Sequence, residues 1–134
     1  MMKEIHRMND GIEKDNRVMQ ALRGYGVVTI PGLYGSRPDH WQSRWERRHS
    51  EFRRVVQENW SLPDLDIWSK RIDAETSTAN SPILLVAHSF GCLASVYGAA
   101  GRCADIAGAL FVAPADPAKF GLAERLLTGE LPFP

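Results

Sequence analysis

The chain has 134 residues, 44% of them hydrophobic and 24% charged, which is the length and composition of one ordinary globular domain. Sixteen basic and sixteen acidic side chains cancel, which excludes a nucleic-acid or anionic-membrane binder working through bulk charge. No apolar run approaches the roughly 18 residues of a membrane span, and residues 1–17 lack the apolar core of a secretory signal. Cys92 and Cys103 have no metal-ligand spacing, so the expectation is a reduced, cytoplasmic protein without a metal site.

Residues 1–24 read as a polar N-terminal extension. Lys3, Glu4, Arg7, Asp10, Glu13, Lys14, Asp15 and Arg17 leave few apolar positions, so the expectation is a mobile or loosely helical segment with one docked turn at residues 18–22. The domain proper is expected over residues 25–134. Gly26–Ile30 is short and β-branched and is halted by Pro31-Gly32, a first buried strand. Gly32-Leu33-Tyr34-Gly35-Ser36 is then a glycine-rich loop at that strand's carboxyl end. Residues 39–49 suit a helix that Asp39 can cap, with Trp41 and Trp45 on one face and Arg44, Arg47 and Arg48 on the other. Residues 53–60 hold Val55-Val56 and read as a second strand. Pro63-Asp64 opens a helix with Leu65, Trp68 and Ile72 at helical spacing and an outward Asp66–Lys70 pair. Residues 76–81 form a polar loop.

Residues 83–87 are an unbroken apolar run, Ile-Leu-Leu-Val-Ala, opened by Pro82, which suits a strand buried on both faces. His88-Ser89-Phe90-Gly91 follows with no room for a loop, and residues 92–100 are small and apolar, as a helix packed hard on a sheet requires. Two readings compete for Ser89. In one it is the nucleophile of a strand–turn–helix elbow, its hydroxyl lifted above the sheet edge and the Phe90 N–H at a helix N-terminus facing any oxyanion. In the other it is a helix N-cap. Gly91 supplies the small flank an elbow demands, whereas Ala87 stands where glycine is usual. Gly98 and Gly101 weaken and end the helix. Residues 106–113 form a fourth apolar strand, stopped by Pro114. Asp116-Pro117 then caps and opens a helix over residues 118–128, closed by Gly129. Short strands alternating with helices predict an α/β fold: an open parallel sheet of about four strands, with helices on both faces and function at the carboxyl edge. A nucleotide-binding domain is disfavoured, because no phosphate-loop or dinucleotide glycine motif opens a helix.

Pro31-Gly32-Leu33-Tyr34-Gly35-Ser36, Asp39-His40-Trp41-Gln42, Gln57-Glu58-Asn59-Trp60, the run from Ala87 to Ala94, and Val112-Ala113-Pro114-Ala115-Asp116-Pro117 together resemble the small serine hydrolases grouped with retinoblastoma-binding protein nine and its bacterial relatives. These are minimal α/β-hydrolases, and the resemblance covers roughly residues 26–134. It implies Ser89 as nucleophile, an oxyanion hole from Leu33 and Phe90, hydrolysis of a small ester or amide, and no cofactor. Gly32, Tyr34, His40, His88 and Asp116 are the remaining candidates for lining the site.

The sequence also departs from that family. The fold orders its triad Ser, then acid, then His, and the family places the last two after further strands. Here all four histidines, His6, His40, His49 and His88, precede Ser89. His88, adjacent to the serine in a strand, should turn its ring to the opposite side. His40 either orients the glycine-rich loop or acts as a base. Asp116 either caps its own helix or acts as the acid. The expectation is a C-terminally truncated member with impaired catalysis, its last strands missing. The alternative is a non-catalytic module that binds or self-associates through the exposed edge strand 106–113.

Overall fold

Alternation of β-branched and apolar residues with short helices produces the expected parallel sheet. The structure, a computed structural model, describes residues 1–99 and 105–130. Its elements run α1 (Met2–Ala21), β1 (Gly26–Ile30), α2 (Trp41–Arg48), β2 (Arg53–Arg54), α3 (Leu65–Ser77), β3 (Ile83–His88), α4 (Phe90–Ala99), β4 (Ile106–Val112), a 3-10 turn (Pro117–Phe120) and α5 (Ala123–Leu127). The four strands lie in the order β2-β1-β3-β4, all parallel, with Ile30 opposite Ala87 and His88 opposite Val112. Gly101, Cys103 and the closing residues 131–134 lie outside the described residues.

The pleat divides the core. Val28 and Ile30 of β1 and Ile83, Leu85 and Ala87 of β3 face α3 and α4, where Leu65, Trp68, Ile72, Phe90 and Leu93 complete the larger cluster. Val27, Leu84 and Val86 face the other way, toward Phe52, Trp41 and Leu22. The sheet is thus covered on one side by α3 and α4 and on the other by α2 and the chain leaving α1, as the sequence leads one to expect. No helix among the described residues is long and apolar enough to cross a membrane.

Several elements differ from expectation. Residues 2–21, expected to be mobile or loosely helical, form one continuous helix. It buries none of its side chains and is held by an intrahelical Arg17–Glu13 pair and by a 2.7 Å Arg48–Asp15 bridge. The expected second strand shrinks to Arg53–Arg54, although the Val55 N–H still donates to Thr29 O at 2.9 Å. Asn59 Oδ1 then accepts from the N–H groups of Ser61 and Leu62 and turns the chain away. α3 runs to Ser77, into the expected loop. Asp66 bonds Arg125 at 3.2 Å instead of Lys70. The helix expected over residues 118–128 is broken at Gly121 (φ 71°) into the 3-10 turn and α5. Gly98 sits inside α4, where a β-carbon would come 3.0 Å from Ser69 O, so it serves the close α3–α4 crossing.

Candidate active site

Ser89 occupies the corner between β3 and α4 with φ 54°, a left-handed conformation that costs a residue with a side chain and marks a tightly imposed turn. Its backbone is tied on both sides. The Ser89 N–H donates to Val112 O at the end of β4 (3.1 Å), and Ser89 O accepts from the N–H groups of Cys92 (3.0 Å) and Ala115 (3.2 Å). A helix begins at once, so the Phe90 N–H is one of the first-turn donors that no helical carbonyl reaches. Gly91 is required here: a β-carbon on it would lie 2.5 Å from Ile30 O and 2.6 Å from Pro31 O. Ala87 is fully buried in the main core and accommodates its methyl there.

The glycine-rich loop lies directly on this corner. A β-carbon on Gly32 would fall 2.7 Å from Ser89 Cβ, 2.8 Å from His88 O and 3.2 Å from Phe90 N. Beyond it, the Tyr34 N–H (φ 65°) donates to Trp60 O at 2.8 Å and the Gly35 N–H to Gly32 O at 2.9 Å. The Leu33 N–H has no backbone acceptor among the described residues. Tyr34 is 65% exposed. The structure therefore brings Gly32, Ser89 and Phe90 together, with Leu33 next along the loop, and leaves the Tyr34 ring in solvent.

The histidines are arranged around a different task. His88, the last residue of β3, is on the α2 face with Val86, as the alternation requires. Its ring meets His40 edge-on at 4.7 Å and Trp41 at 6.2 Å. His40, not Asp39, caps α2: its Nδ1 accepts from the Gln42 N–H at 3.2 Å. That bond places any neutral-ring proton on Nε2. Burial, reinforced by the Arg54 guanidinium, holds His40 below the usual histidine value, with Asp39 and Glu46 pulling the other way. Burial, then His40, does the same for His88. Both rings are therefore neutral at pH 7. His49 is buried against Phe52, with ring centroids 5.0 Å apart. Asp116 is exposed and accepts from the Ala118 N–H at 3.0 Å, a cap on the 3-10 turn. Among the described residues no histidine or carboxylate is hydrogen-bonded to Ser89 Oγ.

Sequence reading did not single out two features beneath the site. One is an aromatic file, Trp60–Trp68–Phe90–Phe120, with ring centroids 5.6, 5.2 and 4.7 Å apart. The other is Gln42, whose fully buried side chain bonds three segments at once. Cys92 is buried with its thiol pushed up to about 11 by desolvation, which makes it an inert core residue. No group of three or more potential ligands among the described residues is placed to hold a metal ion.

No protein of curated function matches the chain. Among solved structures, a YdeN-like hydrolase from Pectobacterium atrosepticum is 39% identical and superposes with a TM-score of 0.79 over 84% of this chain. The chain spans 61% of that protein's length. The serine hydrolase family model matches residues 27–134, from the first strand through Ser89 and beyond. The chain belongs to the serine hydrolase family.

Proposed function

We propose that the chain carries the nucleophile half of an esterase- or amidase-type serine hydrolase, with Ser89 as nucleophile. The observation that carries this is the corner itself. A serine in left-handed conformation stands between a buried strand and a helix N-terminus, with Gly32 pressed against it. In this reading Ser89 Oγ attacks the carbonyl carbon of a small ester or amide. The carbonyl oxygen becomes an oxyanion and accepts from the Phe90 and Leu33 N–H groups, whose dipoles are already aimed. The C–O or C–N bond then breaks and the leaving group departs with a proton. Water hydrolyses the acyl-Ser89 ester. No step calls for a cofactor.

The reaction also needs a base for the Ser89 proton. His40 spends its Nδ1 on a cap, His88 faces across the sheet, and Asp116 spends its carboxylate on the 3-10 turn. A serine relying on the oxyanion hole and binding alone retains about 10³–10⁴-fold acceleration over water, far below an intact triad. The chain by itself is therefore a slow hydrolase. The test is initial-rate hydrolysis of short-chain p-nitrophenyl esters. Slow turnover abolished by Ser89→Ala supports the reading; equal rates for the two proteins refute it.

A second reading, self-association, is favoured by β4. None of Ile106–Val112 is charged or proline. Leu110 and Phe111 remain 45% and 38% exposed, and no described strand pairs with the outer edge. A cavity of about 480 Å³, lined by Leu22, Trp45, Phe52, Leu84, Ala109 and Leu110 among others, adjoins that strand away from Ser89. A second copy fits best: two β4 edges can pair antiparallel about a twofold axis, and a net charge of zero imposes no repulsion between copies.

A further inference from the structure

Gln42 stands in α2, outside every group the reaction uses, yet it is among the most completely enclosed side chains of the protein. A buried amide is costly unless all its polar atoms are satisfied, and this one is satisfied by three different segments. Its Nε2 donates to Ile30 O at the end of β1 (3.2 Å) and to Val86 O in β3 (3.0 Å), while its Oε1 accepts from Ser36 Oγ (2.5 Å). Ile30 lies two residues before Gly32, Val86 three before Ser89, and Ser36 ends the glycine-rich loop. The same loop end is held again through Ser36 O, which accepts from Ser43 Oγ (2.8 Å) and Arg54 Nη1 (3.1 Å). Arg54 is in turn clamped by Glu46 at 2.9 Å.

We infer that Gln42 is a positioning residue for the oxyanion site: its side-chain amide locks the loop over residues 31–36 to the ends of β1 and β3, and so fixes the Leu33 N–H relative to the Phe90 N–H. This rests on the hydrolase reading above. Gly32 sets how closely the loop can approach Ser89, and Gln42 sets where the loop is held once it arrives. Without the tie, Ser36 keeps only its main-chain anchors to Ser43 and Arg54, the loop is held less tightly to the ends of β1 and β3, and one of two oxyanion donors is less well preorganised. Loss of one such donor costs on the order of 10²–10³ in rate in enzymes of this chemistry.

The experiment uses the full chain and a fluorophosphonate, which captures a serine through the same tetrahedral geometry. Gln42→Met removes the donors and acceptor at similar volume. Ser36→Ala cuts only the loop tie and leaves the strand ends bonded, so it remains informative if Gln42→Met fails to fold. Each variant is expected to slow Ser89 capture by ten- to hundredfold. With a p-nitrophenyl ester, kcat should fall while KM holds, a split that general loosening of the fold does not produce. In Ser36→Ala the Leu33 amide should also exchange with solvent at least tenfold faster by NMR. Unchanged capture and unchanged Leu33 exchange in Ser36→Ala overturn the inference. If the wild type itself resists the probe, the hydrolase reading fails, and Leu33 exchange still decides whether Gln42 holds the loop.

Discussion

Gly32 and Ser89 are packed so closely that a single methyl on the glycine would lie 2.7 Å from the serine's Cβ. No flexible side-chain end can yield there, because the other near neighbours are His88 O and Phe90 N. Gly32→Ala must therefore push the loop off the corner. We expect at least a tenfold slower capture of Ser89 by a fluorophosphonate, with an unchanged far-ultraviolet circular dichroism spectrum. Wild-type capture would show that the loop's approach does not matter to the chemistry.

Gly91 makes a different prediction, since its neighbours are carbonyl oxygens of the core strand β1. Gly91→Ala would place a methyl 2.5 Å from Ile30 O and 2.6 Å from Pro31 O. Overpacking of this kind costs about 1–3 kcal/mol or more. Urea unfolding should show at least that loss. By contrast, Gly129→Ala, where no atom lies within 4 Å, should lose only what a positive φ of 70° costs, about 1 kcal/mol.

Trp68 is 1% exposed and lies between Trp60 and Phe90. Trp68→Ala should destabilise the protein by about 3–5 kcal/mol, whereas Trp45→Ala, at 40% exposure, should cost clearly less. Because Phe90 follows the serine directly, the Trp68 variant should also slow ester hydrolysis under conditions where it remains folded. Equal losses for the two tryptophans would contradict the layered core described above.

The paired imidazoles predict an acid-side weakness. Burial first and then Arg54 hold His40 below the ordinary value of 6.5, and burial first and then His40 do the same for His88. The unfolded chain therefore binds more protons than the folded one as pH falls through this range. The stability they contribute is complete above about pH 6.5 and is lost as pH drops through their lowered values. The melting temperature should fall between about pH 7.5 and about pH 5.5. His40→Asn keeps an α2 cap and should shrink that fall. An identical fall in the variant would remove His40 from the account.

If β4 pairs with a second copy, light scattering after size exclusion should report a concentration-dependent dimer. Leu110→Lys puts a charge beside the open edge and should shift the protein to monomer. A wild type that stays monomeric at high concentration would discard that reading.

Where sequence and structure agree, the reason is local. Gly26–Ile30 is short and β-branched and residues 83–87 are an unbroken apolar run, each bounded by proline, glycine or a sharp corner, so local composition and its punctuation place them. Asp64 caps α3 through the Ile67 N–H, as its position before Leu65 foretells. Where they disagree, a distant partner decides. His40 displaces Asp39 as cap because its ring also packs on His88, 48 positions away in sequence. The second strand ends early because Asn59 folds the chain back. α1 forms from charged residues that lack an apolar stripe facing the core but are good helix formers, with one ion pair to α2. Gln42 looks like any polar residue of an amphipathic helix. Only its proximity to Ile30, Val86 and Ser36, all set by tertiary structure, gives it a role.

The most direct measurement is intact-protein and peptide mass spectrometry after prolonged incubation with a fluorophosphonate. A single adduct is expected on the peptide containing Ser89, forming slowly, absent in Ser89→Ala, and not formed when the protein is unfolded in urea before the probe is added. An unmodified folded protein, or an adduct on another residue with Ser89 untouched, would contradict a nucleophilic Ser89.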